Sequence, residues 1–176
     1  TELPQRHLSS AEQVDHLTTR RGALDGNGPE LNAFIELNPD AMSIAMERDA
    51  ELRDSRVRGA LHGLAVAVKD NIDTADGMLT TAGSLALAGT RPLQDAPLVA
   101  RLREAGLVVL GKTNLSEWAN IRSPHSTSGW SARGGLTRNP WDPTRSAGGS
   151  SSGTGAALAA GLAPLGVGTE TDGSII

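Results

Sequence analysis

The sequence predicts an α/β fold in which a sheet containing parallel strand pairs is covered by helices. Two continuous apolar runs, 64–68 and 107–110, each stop at a polar cluster, Lys69-Asp70-Asn71 and Gly111-Lys112-Thr113-Asn114. Runs that are apolar at every position suit strands buried on both faces. Helical patterns precede, separate and follow these runs, and strands alternating with helices pair in parallel. The 38% hydrophobic share over 176 residues is enough for one domain with a sizeable core.

Taken in order, Ser9 with Glu12 forms a capping-box pattern, and Val14 and Leu17 share a face, which predicts a helix over 10–20. Gly26-Asn27-Gly28-Pro29 reads as a turn, and Ala33-Phe34-Ile35-Glu36-Leu37 as a strand. Asn38 as cap and Pro39 at the first helical position predict a helix to about Arg56, apolar at Ala41, Ile44, Ala45 and Leu52 and otherwise crowded with solvated charge. After the first buried strand, which leaves Lys69 at its carboxyl end, helices are predicted over 82–88 and 97–105. The stretch 123–149 is rich in Ser, Gly, Pro and Asn; Trp130 and Trp141 predict a long ordered loop with both rings buried. Trp118 is expected as a core anchor. The final region, 148–155, is a glycine-serine loop leading into a small-residue helix over 154–162, whose alanines let its backbone lie close to its neighbours. Ser151 and Ser152 are expected to cap that helix, and Asp70 and Asn71 either to form a turn or to bond near the lysine.

Composition excludes several function classes. A formal charge of -4, with no basic run beyond Arg20-Arg21, argues against nucleic acid and membrane as partners. Without cysteine there is no disulfide framework, no thiolate metal site and no cysteine nucleophile. No apolar run approaches a membrane span and no signal-peptide pattern opens the chain. Thr1 stands where Met would, and Ile175-Ile176 end the chain two residues after Ser174. The expectation is a fragment of a soluble protein. Cytoplasm is slightly favoured and secretion or periplasm left open, with oligomeric state undetermined.

The 148–155 loop admits three chemical readings. As a P-loop it fails, since Thr154 stands where lysine must follow the second glycine; a dinucleotide fingerprint fails at Leu158. Gly149-Ser150-Ser151-Ser152-Gly153 matches a nucleophile elbow, but two prolines, Pro140 and Pro143, precede it where a strand is required. None of His7, His16, His62 and His125 follows the serine, so this alternative needs a histidine beyond Ile176. The third reading joins Lys69, Ser150 and Ser174: a neutral lysine can take a serine proton through a second hydroxyl. An ordinary lysine pKa of about 10.4 must then fall by several units, at about 1.4 kcal/mol each, and the apolar run 64–68 supplies the desolvation.

These residues carry a resemblance. Segments 63–71, 111–114, 139–141, 148–153 and 168–175 resemble, in order, five motifs of the amidase signature family, over residues 31–176. The resemblance implies a mixed sheet core covered by helices, present here as its N-terminal part only. It divides the chain into an N-terminal helical segment, 1–30, and an amidase signature domain, 31–176, cut short at its C-terminus. It implies Lys69 as base, Ser150 as bridging serine in a cis peptide with Gly149, and Ser174 as the acyl-forming nucleophile. Backbone amides of Thr171, Asp172, Gly173 and Ser174 would form the oxyanion hole.

Two positions depart from the commoner family pattern: Asp172 replaces a glycine, and Ile176 an arginine. Both are similar to the bacterial peptide amidase branch, as are 116–120 and 129–133. The implied reaction splits a carboxamide, such as a peptide C-terminal amide, into acid and ammonia, and calls for no cofactor and no metal. The substrate partner is a small amide or amidated peptide. The alternatives are the A subunit of a glutamyl-tRNA amidotransferase and a non-catalytic binding module on the same scaffold.

Overall fold

A computed structural model describes residues 8–176; His7, one of the four histidines weighed above, lies outside them. A capping box at Ser9 and Glu12 starts α1 (Ser10–Arg21), whose Val14 and Leu17 are buried. The chain continues through β1 (Phe34–Leu37), α2 (Ala41–Arg53), β2 (Ala65–Lys69), α3 (Pro97–Glu104) and β3 (Val108–Thr113). A short hairpin of β4 (Trp130–Ser131) and β5 (Gly135–Leu136) then leads to α4 (Ser152–Ala159) and β6 (Leu165–Val167).

Four strands form one mixed sheet in the order β1-β3-β2-β6, with β1 antiparallel to β3, and β2 parallel to both β3 and β6. Every residue of β2 and β3 is buried, as their unbroken apolar runs require. On one face Ala65, Ala67, Val108 and Leu110 pack against α1, α2 and α4; on the other Val66, Val68 and Val109 meet Val99 of α3, Ile72 and Met78.

The two faces exchange parity at a bulge. Val66 pairs with Val109, but Ala67 pairs with Gly111, leaving Leu110 as the extra residue. Beyond it Lys112 pairs with Val68 and Thr113 with Lys69. Lys112 thus shares the face of Val68, whereas without the bulge it would follow Val108 and Leu110 toward α4. Gly111 is required at the crossing, because a Cβ there would lie 2.5 Å from the Glu36 carbonyl.

Several local expectations are corrected. α2 begins at Ala41: the Asn38 amide donates to Leu110 O and its Nδ2 to Val109 O, which ties the residue to β3, while its Oδ1 accepts from Asp40 N in a turn that precedes the helix. α2 also ends at Arg53, before Ser55 turns to φ 60. In place of a helix over 82–88 there is a 3₁₀ turn, Leu85–Leu87, because Ala82 and Gly83 both have positive φ. The last helix runs over Ser152–Ala159, not 154–162, and Gly161 at φ 64 ends it.

The tryptophans are also not core anchors. Trp118 is 40% exposed, on a turn at φ 50; Trp130, 37% exposed, lies under the Arg122 guanidinium at 5.4 Å; Trp141, 83% exposed, projects from a turn held by Asn139 Oδ1. Aromatic rings need an apolar site, and the alanine- and valine-rich sheet faces are already filled by helices.

Candidate active site

β2 delivers Lys69 to the carboxyl end of the sheet on the face covered by α4, and its side chain is completely buried. Its ammonium donates to Ser150 Oγ at 2.7 Å, Ser151 Oγ at 3.0 Å and the Thr169 carbonyl at 3.2 Å. Ser150 Oγ in turn donates to Ser174 Oγ at 2.9 Å. The fold thus brings Lys69, Ser150 and Ser174 into one hydrogen-bonded line. Burial lowers the Lys69 pKa from 10.5 to about 8.

Small residues make this line possible. The Gly149–Ser150 peptide is cis. A Cβ on Gly149 would collide with Ser116 Oγ, and one on Gly153 with the Ala33 carbonyl and the Asn114 backbone. With glycine at both positions, Ser116 N donates to Ser150 O and Gly153 N to Asn114 O, so the serine loop lies directly on the segment after β3.

The expected capping role of Ser151 and Ser152 is corrected, because neither hydroxyl caps α4. Ser151 Oγ accepts from Lys69 and donates to Thr169 O, while Ser152 Oγ donates to Gly148 O. A charged ammonium is the stronger partner for a hydroxyl than a helix amide. Asp70 and Asn71 divide their duties. Asp70 Oδ2 receives Thr81 Oγ1 at 2.5 Å and Gly83 N at 3.1 Å, closing the turn after β2, and burial raises its pKa. Asn71 Nδ2 donates to Thr169 Oγ1 at 2.9 Å.

In the turn before Ser174, Glu170 gathers three amides: Gly173 N on one oxygen, and Ile175 N and Ile176 N on the other. Among the described residues the amides of Thr171, Asp172 and Ser174 donate to nothing, and the Asp172 side chain is exposed. Next to Ser174 opens a cavity of about 460 Å³, bordered by Ser151, Leu158 and Ile175. Among the described residues no group of three or more His, Asp or Glu side chains is arranged to hold a metal, and no helix is long and apolar enough to cross a membrane. Sequence reasoning missed Thr169 and Glu170, although both stand inside the 168–175 motif; a glutamate three residues before a glycine is the available signal for an anchored turn.

Known proteins are similar to this chain in sequence and in fold. The family model described as Amidase matches residues 22–176. A putative amidase of Arthroderma benhamiae is 49% identical over 146 residues, 83% of this chain and 25% of that protein. The A subunit of the glutamyl-tRNA(Gln) amidotransferase of Acidothermus cellulolyticus is 44% identical over 174 residues, 98% of this chain and 33% of that protein. Native peptide amidase from Stenotrophomonas maltophilia superposes with a TM-score of 0.93 at 60% identity, covering 96% of this chain and 34% of that one. The chain therefore spans about a quarter to a third of the length of the proteins it matches.

Proposed function

Since the chain belongs to the amidase signature family, we propose that it carries the nucleophile, relay and base of a carboxamide hydrolase acting through an acyl-enzyme on Ser174. The observation that carries this reading is the unbroken line from Lys69 Nζ through Ser150 Oγ to Ser174 Oγ, at 2.7 and 2.9 Å. With Lys69 charged, both bonds run outward, from ammonium to Ser150 to Ser174. Loss of one proton from Lys69 lets both reverse: Ser174 donates to Ser150, and Ser150 to the neutral amine.

Ser174 Oγ then attacks the carboxamide carbon while its proton passes to Ser150 and that of Ser150 to Lys69. The carbonyl oxygen becomes an oxyanion, met by the backbone amides of the 171–174 turn, those of Thr171, Asp172 and Ser174 having no acceptor among the described residues and that of Gly173 being shared with Glu170. Collapse breaks the C–N bond, and the proton returns through Ser150 to the departing ammonia. Water, deprotonated by the same relay, attacks the Ser174 ester, and the acid leaves with the serine restored.

The substrate class is the C-terminal amide of a peptide, on the strength of 60% identity to a peptide amidase and the Asp172 and Ile176 substitutions. The test is ammonia release by the full-length protein from a C-terminally amidated dipeptide. Turnover by the wild type and its loss in Ser174→Ala are expected; turnover retained in Ser174→Ala would overturn the assignment. The 44% identity to an amidotransferase A subunit favours a second reading, delivery of ammonia from glutamine. Glutaminase activity that appears only when a partner protein is added, and no action on the dipeptide amide, would select it.

A further inference from the structure

The chain has only two lysines, Lys69 and Lys112, and both are completely buried, at adjacent rungs of β2 and β3. The bulge at Leu110 sends them to opposite faces of the sheet. Lys69 takes part in the relay, whereas Lys112 touches neither serine. Its ammonium donates to Ile72 O at 2.5 Å and Thr80 Oγ1 at 2.8 Å, and Thr80 Oγ1 itself reaches Ile72 O at 3.4 Å. Among the described residues no carboxylate lies within ion-pair distance of it, which makes it a costly group to bury.

Its charged surroundings are Asp70, Asp73 and Asp76 from the segment after β2, and Glu36 from β1. Arg133 binds Glu36 and lies 3.6 Å from Asp70, and Arg103 of α3 is bonded to Asp76 and Asp95. Desolvation outweighs the four carboxylates and lowers the Lys112 pKa to about 8. A methionine would fill the same volume without that penalty, so the amine's hydrogen bonds are the function to explain.

Those bonds lead back to the relay. Ile72, whose carbonyl Lys112 grips, follows Asn71 directly, and Ile72 N also closes the turn onto Lys69 O. Asn71 Nδ2 holds Thr169 Oγ1, and the Thr169 carbonyl accepts from Lys69 Nζ and Ser151 Oγ. We infer that Lys112 is a positioning residue: from the far face of the sheet it fixes the turn after β2, keeps Asn71 on Thr169, and so holds Lys69 in line with Ser150. The inference rests on Lys69 being the base of the proposed reaction.

The experiment uses the full-length protein with Lys112→Met, Asn71→Ala and the double variant. With a C-terminally amidated dipeptide, each single variant is expected to lose about tenfold or more in kcat with little change in KM, and the double variant no more than the worse single one, because both act through Thr169. Multiplying losses, or full kcat per folded molecule in Lys112→Met, would overturn the inference. Should Lys112→Met not fold, Thr80→Val removes one of its two partners and enters the same cycle. Hydrogen exchange needs no substrate: faster exchange around Thr169 in Lys112→Met is expected, and unchanged exchange there would overturn the inference. That measurement stands even if the wild type releases no ammonia, so the two readings fail separately.

Discussion

Lys69, the base of the proposed reaction, ties the expected pH dependence of activity to that of stability. Its pKa of about 8 means that the neutral base becomes abundant as pH rises through that value. The expected kcat profile therefore climbs below pH 8 and levels above it; a profile flat from pH 6 to 9 would remove Lys69 from the base role. The same shift acts on folding with a defined sign. The folded-state pKa lies below the unfolded 10.5, so the unfolded chain binds more protons between about 8 and 10.5, and stability rises with pH across that window. The penalty is complete below pH 8, on the order of 3 kcal/mol at about 1.4 kcal/mol per unit, and is gone above 10.5. Lys69→Met removes it but forfeits three hydrogen bonds, each on the order of 1.5–3 kcal/mol while the amine is charged. Denaturant titrations should find the variant less stable than wild type at both pH 7 and pH 11.

At the scale of the element, α4 is built to let the serine loop lie against a sheet. Its two interior glycines have opposite duties. Gly153 faces Ala33 and Asn114 backbone with no room for a methyl, while a Cβ on Gly155 would meet nothing within 4 Å. Gly153→Ala should therefore cost about 3 kcal/mol through overpacking, whereas Gly155→Ala should stabilise by about 0.5–1 kcal/mol through helix propensity. Melting curves of the two variants measured together check this; equal shifts would show that the close approach at Gly153 is not what holds the loop. The small-residue character of this helix was legible in the sequence. Its start was not, because whether Ser151 caps the helix or serves a lysine depends on where Lys69 arrives, and Ser152 turns back to the Gly148 carbonyl instead.

Across the whole molecule, α1 and α2 are tied to each other and to the sheet by side chains that cap backbone. Asp49 of α2 accepts from Ser10 N at 2.7 Å and Ala11 N at 3.0 Å, meeting the positive end of α1. Gln13 accepts from Ala65 N of β2, Asp25 receives Ala33 N and Phe34 N, and Arg20 donates twice to Ala160 O. Asp49→Ala should lower stability by about 1–3 kcal/mol, leave kcat per folded molecule unchanged, and be partly rescued by asparagine. A matching fall in kcat would mean that α1 bears on the site directly.

The sequence by itself determined the two buried strands, the capped first helix and the small-residue loop, and it singled out Lys69, Ser150 and Ser174 as candidates. Each follows from local chemistry: apolar periodicity, capping residues, glycine placement and an ordered set of motifs. Only the tertiary structure decided what those side chains touch. The bulge at Leu110, which sends Lys112 to the far face, depends on how β3 pairs with β2, and pairing register is a property of two strands brought together. The exposed tryptophans and the Glu170 turn have the same origin. A side chain's partners are fixed by segments distant in sequence, and no local pattern records which of several polar groups will be nearest when the chain has folded.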